Sequence, residues 1–354
     1  MSRSSKVKGS LLAATLLLIS PALTACDPPM PPELIAQLAE QTVACESGDV
    51  TVSYDANLSD VFAGWADSLM TACPDPAMTI STATDLASAN LVISSNQACE
   101  PFIDVPVAYD AAVLAFQLDG YETAAISPAN LAKILSGEIT NWSDPQLAED
   151  NPDSALPDLP IQIRQTADAA SVTAISDFLK ANSLGLKANF DLQNLTDPNS
   201  IEPLAEGEIA ILPASVATAA ALATFGISTG AVDADGFQIV ASASADGIYS
   251  ASTQLVFETN GSKITATLDP SIEPKSIFEG ETAATPYQLI FPIHLLACGE
   301  DNLLTRAAAT YLLRLDSQGS LTGFNLGQVP EQLRLAAVGI AREGLPLPTA
   351  APEQ

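Results

Sequence analysis

The stretch Ile126-Ser127-Pro128-Ala129-Asn130-Leu131-Ala132-Lys133-Ile134-Leu135-Ser136-Gly137-Glu138-Ile139-Thr140-Asn141-Trp142-Ser143-Asp144-Pro145 contains the clearest local signals in the chain. Ser127 is a good N-cap, because its hydroxyl can accept from an unpaired amide of the first turn. Pro128 fits the first helical position, where no amide donor is needed. Leu131, Ile134 and Leu135 form one apolar face, and Gly137 ends the helix. A loop rich in Asp, Asn and Pro over residues 141–160 then leads to the short apolar strand Ile161-Gln162-Ile163-Arg164. A helix follows through Val172, Ile175, Phe178 and Leu179.

The same alternation continues on both sides. Asp49 to Tyr54 reads as a strand, followed by a helix through Leu58, Phe62, Trp65 and Leu69. Further strands are expected at Met78 to Ile80, Asn90 to Ser94 and Val105 to Phe116, then at Ile209 to Leu212 and Tyr287 to Ala297. An amphipathic helix is expected from Asn302 to Leu315, and hairpins between Phe237 and Thr267, where polar and apolar residues alternate between glycines. Strands alternating with helices indicate an α/β fold around a largely parallel sheet. No internal repeat or low-complexity tract interrupts it.

The chain begins with a leader pattern over residues 1–25. Arg3, Lys6 and Lys8 precede the apolar run Leu11 to Ile19, and Leu23-Thr24-Ala25-Cys26 ends it at small residues. That tetrapeptide resembles a bacterial lipobox, which implies lipidation at Cys26 and anchoring to the outer face of a membrane without spanning it. An ordinary cleaved leader is the alternative. Pro28, Pro29, Pro31 and Pro32 then favour an extended spacer, so that residues 26–45 tether a globular part, with a short helix expected over Leu34 to Ala44.

Forty-two acidic residues against thirteen basic ones give a net charge of −29. Such a field repels phosphate backbones and excludes nucleic acid as a partner. With 47% apolar and 16% charged residues, the chain buries a sizeable core. Besides Cys26, the four cysteines Cys45, Cys73, Cys99 and Cys298 are an even number in an exported chain, as two disulfides require. Three pairings are open. Cys45 with Cys73 and Cys99 with Cys298 would be natural if Cys298 returns to the first domain. No metal or cofactor is expected, for there is no C-x-x-C. The single histidine, His294, lies in an apolar run and reads as a satisfied core residue. With one histidine and paired cysteines, no Ser-His or Cys-His nucleophile can be assembled, so no enzyme is expected.

The segment from Leu131 to Pro145 resembles a signature of the phosphate-binding proteins of Pst-type ABC transporters, and so does the downstream run Leu156-Pro157-Asp158-Leu159-Pro160-Ile161-Gln162-Ile163-Gln165 with its neighbour Arg164. Ser176-Asp177-Phe178-Leu179 matches the helix after that family's ligand loop, and Gly323-Phe324 with Val329-Pro330 its final turn. The resemblance covers roughly residues 105–340. It implies a two-lobe periplasmic-binding-protein-like fold of type II with the ligand in a cleft between lobes. Residues 46–113 and 286–345 would form lobe I, and 114–285 lobe II.

In that family an Arg, hydroxyls and backbone amides at a helix start hold phosphate, and an Asp accepts from its protonated oxygen. By resemblance the corresponding loop here is Arg164 to Thr173. Its ligand candidates are Arg164, Asp168, Ser171 and Thr173, but the family's glycines are replaced. Arg164 could equally serve a structural ion pair, and Ser171 and Thr173 could simply cap a helix. Ser94, Ser95 and Tyr54, at ends of first-lobe strands, are further candidates, since α/β ligands sit outside the carboxyl ends of strands. The expected function is a monomeric, exported solute-binding lipoprotein that takes phosphate or a related small oxyanion to an ABC permease. A surface lipoprotein that keeps the fold as an interaction or sensory module is the alternative.

Overall fold

β1 (Gly48–Tyr54) lies between β2 (Met78–Thr82) and β3 (Leu91–Ser94), parallel to both. The chain reaches β2 through α1 (Ser59–Ala72), whose buried residues Val61, Phe62, Trp65 and Leu69 recur at three- and four-residue steps and cover the sheet. The computed structural model describes residues 42–73 and 78–346, with Leu34 and Leu38. The leader, Cys26 and the prolines of the spacer lie outside the described residues. So does most of the helix expected at residues 34–44, and Thr42 to Ala44 are not helical.

β4 (Pro101–Phe116) is longer than its sequence pattern indicated, and at about 3.3 Å per residue it is shared by two arms of one 12-stranded sheet. Its first half pairs antiparallel with β14 (Ile290–Cys298), which lies against β3. Its second half meets β9 (Glu208–Pro213) and β10 (Ala223–Val232). Around these stand β5 (Thr123–Ile126), β6 (Gln162–Ile163) and β11 (Gln238–Ala241). β7 (Thr166–Asp168) and β8 (Asp191–Gln193) form a separate parallel pair.

In the second arm, α2 (Pro128–Leu135) starts as its sequence predicts: the Ser127 hydroxyl accepts from the Asn130 amide. Gly137, at φ +74°, takes the left-handed conformation after it. Trp142 is fully buried, stacked on Phe225 at 5.5 Å between ring centres, with Phe116 at 5.3 Å, and its indole N–H donates to the Gly207 carbonyl. α3 (Pro145–Asp150), α4 (Ala169–Ala181) and α5 (Ala214–Ala219) complete this part.

Two stretches differ from expectation. Within the predicted hairpins lies a helix, α6 (Ala245–Ser252), capped by Ser244. The hairpin itself, β12 (Leu255–Asn260) and β13 (Lys263–Leu268), turns at Gly261, whose φ is +61°. Although it belongs to the segment 114–285, Lys263 on β13 pairs with Asp104 on the first half of β4, so the hairpin reaches the first arm. The helix expected from Asn302 to Leu315 is broken into α7 (Leu303–Leu312) and α8 (Leu315–Gly319), because Arg314 is extended. α9 (Glu331–Ala341) closes the described chain against α7 and β4.

The disulfides are Cys45–Cys73 and Cys99–Cys298, with Cα separations of 5.6 and 6.1 Å. The first ties the residues before β1 to the end of α1. The second bridges a sequence separation of 199 and joins the loop after β3 to the end of β14. Closing so long a loop removes about 5 kcal/mol of unfolded-chain entropy in the simplest model.

Candidate functional site

The carboxyl ends of β1 and β3 meet the start of α4 along a polar seam. Asp55 follows β1 directly and is buried. It accepts from the Ser94 hydroxyl at 2.9 Å, the Ser95 amide at 2.9 Å, the Ser95 hydroxyl at 3.2 Å and the Asn194 side-chain amide at 3.2 Å. Asn96 adds a bond to the Asn194 carbonyl oxygen at 3.2 Å. Asn96 directly, and Ser94 and Ser95 through Asp55, are thus tied to the loop after β8, with a sequence separation of 98 between Asn96 and Asn194.

On the α4 side, Asp168 has no exposed surface and caps the helix. Its carboxylate accepts from the Ser171 amide and hydroxyl, both at 2.8 Å, and from the Leu195 amide at 3.2 Å. Burial raises its pKa against the lowering effect of these donors, and the Asp55 charge raises it further. Deeper, on β4, Asp110 is 1% exposed and accepts from the Ser215 hydroxyl at 2.5 Å and the Ser215 amide at 3.2 Å. Burial pushes its pKa up to about 7, with Asp168 contributing in the same direction. The side-chain amide of Asn57 donates to Ser215 at 2.8 Å and ties the residues after β1 to α5. Asn57 Oδ1 is buried with no hydrogen-bond partner among the described residues.

The sequence candidates divide. Ser94, Ser95, Asp168 and Ser171 are in the seam, where Ser171 serves as the first-turn partner of its own helix cap. Thr173 bonds back to the Ala169 carbonyl and faces the cavity described below. Arg164 is held in an ion pair: its guanidinium grips Glu208 at 2.8 and 3.0 Å and also donates to the Glu202 and Pro203 carbonyls. That bond holds the Glu208 carboxyl below its usual pKa. The strand end aims Arg164 along β9, so the ion-pair alternative holds. Tyr54 lies apart from the seam. Its hydroxyl meets Thr82 and its ring packs on Phe62 at 4.6 Å, because alternation along β1 turns Asp55 and not Tyr54 toward the seam.

Asp55, Asn57, Asp110, Asn194 and Ser215 were not anticipated. Asp55 sits immediately outside a parallel strand, which marks a ligand position in α/β sheets. Asp110 is a charge inside the otherwise apolar second half of β4. Asn194 and Ser215 carry no local signal.

Beside the seam lies a cavity of about 900 Å³, walled by α4, the β12–β13 hairpin and the crossing of β4 with β14. Ser95, Asn96, Ala169 and Ala170 line it where it meets the seam. His294, expected in the core, is on its wall with a quarter of its side chain exposed. Its Nδ1 lies 2.7 Å from Asp104, which Lys263 also approaches at 2.6 Å. Among the described residues no group of His, Cys, Asp and Glu is arranged to hold a metal ion, and no helix is long and apolar enough to cross a membrane.

Residues 38–314 match the family model described as a PBP superfamily domain. Among solved structures, the chain is similar to a high-affinity periplasmic phosphate-binding protein bound with phosphate, with 13% identity, a TM-score of 0.52, and 82% of this chain and 92% of that chain covered. It is equally similar to the ancestral soluble variant of the human phosphate-binding protein, with 14% identity, a TM-score of 0.52, and 82% and 93% covered. A phosphate ABC transporter substrate-binding protein from Clostridium perfringens, solved with phosphate, covers 80% of this chain with 100% of its own at 14% identity and a TM-score of 0.46. Among curated proteins nothing matches. At these identities the likeness is one of fold.

Proposed function

This chain belongs to the PBP superfamily, and from that premise we propose that it is an exported solute-binding lipoprotein, not an enzyme, which delivers a small oxyanion of the phosphate class to an ABC permease. Cys26 carries the lipid anchor that holds it on the outer face of the membrane, and it acts as a monomer. Its lobes are residues 46–113 with 286–345, and 114–285, the β12–β13 hairpin reaching from the second to the first.

The observation that carries this reading is the seam. Hydrogen-bonding groups at the ends of β1 and β3 are joined through Asn194 and Leu195 to the cap of a 13-residue helix, α4, outside the carboxyl ends of parallel strands. The first amides of α4 favour negative charge. The oxygens of an acidic oxyanion accept from the first amides of α4 at Ala169 and Ala170, and the buried carboxylates Asp55 and Asp168 close by favour its protonated form. Binding then prefers the more protonated ligand and weakens as pH rises through neutrality.

A second reading, the non-transport surface lipoprotein, is favoured by Arg164, which is engaged by Glu208 and leaves three aspartates in and under the seam. Isothermal calorimetry of the purified protein with phosphate and then sulfate separates the two. Saturable heat with phosphate, stronger at pH 6 than at pH 8, supports the transport receptor. No heat from either anion at millimolar concentration establishes the second reading instead.

A further inference from the structure

The seam alone is too small a part of the space between the lobes. The adjoining cavity, about 900 Å³, lies at the upper end of the range for small-molecule sites, and an inorganic oxyanion would leave most of it unfilled. Phe178, Leu255, Ile264, Ile290 and Phe291 give it an apolar wall. Lys180 and Lys263 supply positive charge to the lining, opposed by Asp177 on α4 and by Asp104 behind Lys263 and His294.

Tyr109 is also a lining residue. It is 1% exposed, and its hydroxyl has no hydrogen-bond partner among the described residues. A buried donor left unpaired costs about 1–3 kcal/mol, a penalty that a bound acceptor removes. Burial raises the Tyr109 pKa well above that of a free phenol, so the group stays a neutral donor at any physiological pH.

We infer that the cavity takes an organic anion with an apolar body. The acidic head lies where Ser95 and Asn96 meet the first turn of α4, and the body lies along Phe178, Ile264 and Phe291. This rests on the solute-binding reading and replaces a bare oxyanion with one that carries a hydrophobic substituent. The head takes the first amides of α4 and the Tyr109 hydroxyl, while Ser95 and Asn96 shape the rim. The body removes apolar wall from water, which inorganic phosphate cannot do.

Calorimetry of the full chain with phenyl phosphate and with inorganic phosphate as probes tests this. Phenyl phosphate is expected to bind at least about tenfold more tightly than phosphate, as burial of one ring predicts. Ala266→Trp, an exposed position on β13 that fills the cavity from the hairpin side, should weaken phenyl phosphate about tenfold and leave phosphate within about twofold. Tyr109→Phe should weaken phenyl phosphate about fivefold if its hydroxyl meets the ligand, with a thermal melt confirming that the variant folds. Phosphate binding as tightly as phenyl phosphate, or an Ala266→Trp variant that binds both probes unchanged, overturns the inference and leaves the oxyanion reading standing. Absence of binding by both probes overturns the two together.

Discussion

The segment from Ser127 to Pro145 and the loop from Arg164 to Thr173 both carry capped helix starts, yet only the first did what its residues indicated. In the first, each signal finds its partner nearby: Ser127 caps Asn130, Asp144 caps Gln146, and Gly137 turns the chain. In the second, the partners come from far away. Arg164 is taken by Glu208, and Asp168 by the Leu195 amide as well as by its own helix. Local capping chemistry is legible because it is encoded within four residues. The use of a charged side chain depends on which distant strand arrives beside it.

Four measurements can break or sharpen that contrast. Trp142→Ala should cost about 3–5 kcal/mol in chemical denaturation, since it empties the space between Phe116 and Phe225. A cost below 1 kcal/mol would mean that the segment is held by its caps and not by its buried ring. Arg164→Ala should cost about 2 kcal/mol by leaving Glu208 without its partner, while oxyanion affinity stays unchanged. Loss of affinity without loss of stability would return Arg164 to the ligand.

Asp110→Asn addresses the seam by pH. Because the folded pKa of Asp110 is raised to about 7 above its unfolded value of 3.8, the folded state holds more protons between those values. Stability therefore falls as pH rises through that window, by on the order of 4 kcal/mol. The Asn variant should lose this slope in denaturation between pH 4.5 and 7.5, and an unchanged slope would mean that another group carries it. Last, Ser127→Ala should cost about 1 kcal/mol, measured by thermal unfolding. Ser171→Ala should cost more, since it leaves the fully buried Asp168 with one donor fewer. Equal costs would erase the distinction between the half-buried cap and the fully buried one.

Much of the fold was legible. β1, β3, α1 and β4 followed from apolar periodicity, and only their ends moved. α6 was hidden among the alternating residues after Phe237, because eight residues capped by Ser244 are too few to show a helical period. The break at Arg314 was hidden for the opposite reason: the apolar period continues through a residue whose backbone is extended. Of the residues in the seam, Ser94 and Ser95 were candidates from their places at a strand end, and Asp168 from the resemblance of its loop. Asp55 lay one residue beyond Tyr54, on the other face of the same strand end.

The sequence by itself determined the α/β alternation, the caps of α2, the even set of four cysteines after Cys26 and the acidic surface. These are properties of composition and of residues within a turn or two of one another. The tertiary structure alone decided that Cys99 pairs with Cys298, that Arg164 turns to Glu208, and that Asp55, Asp168 and Asp110 stand near one another. Each of these joins residues that lie far apart along the chain and meet only where their strands or loops pack together. A contact of that kind is set by the packing of whole strands, whose free energy no local pattern records.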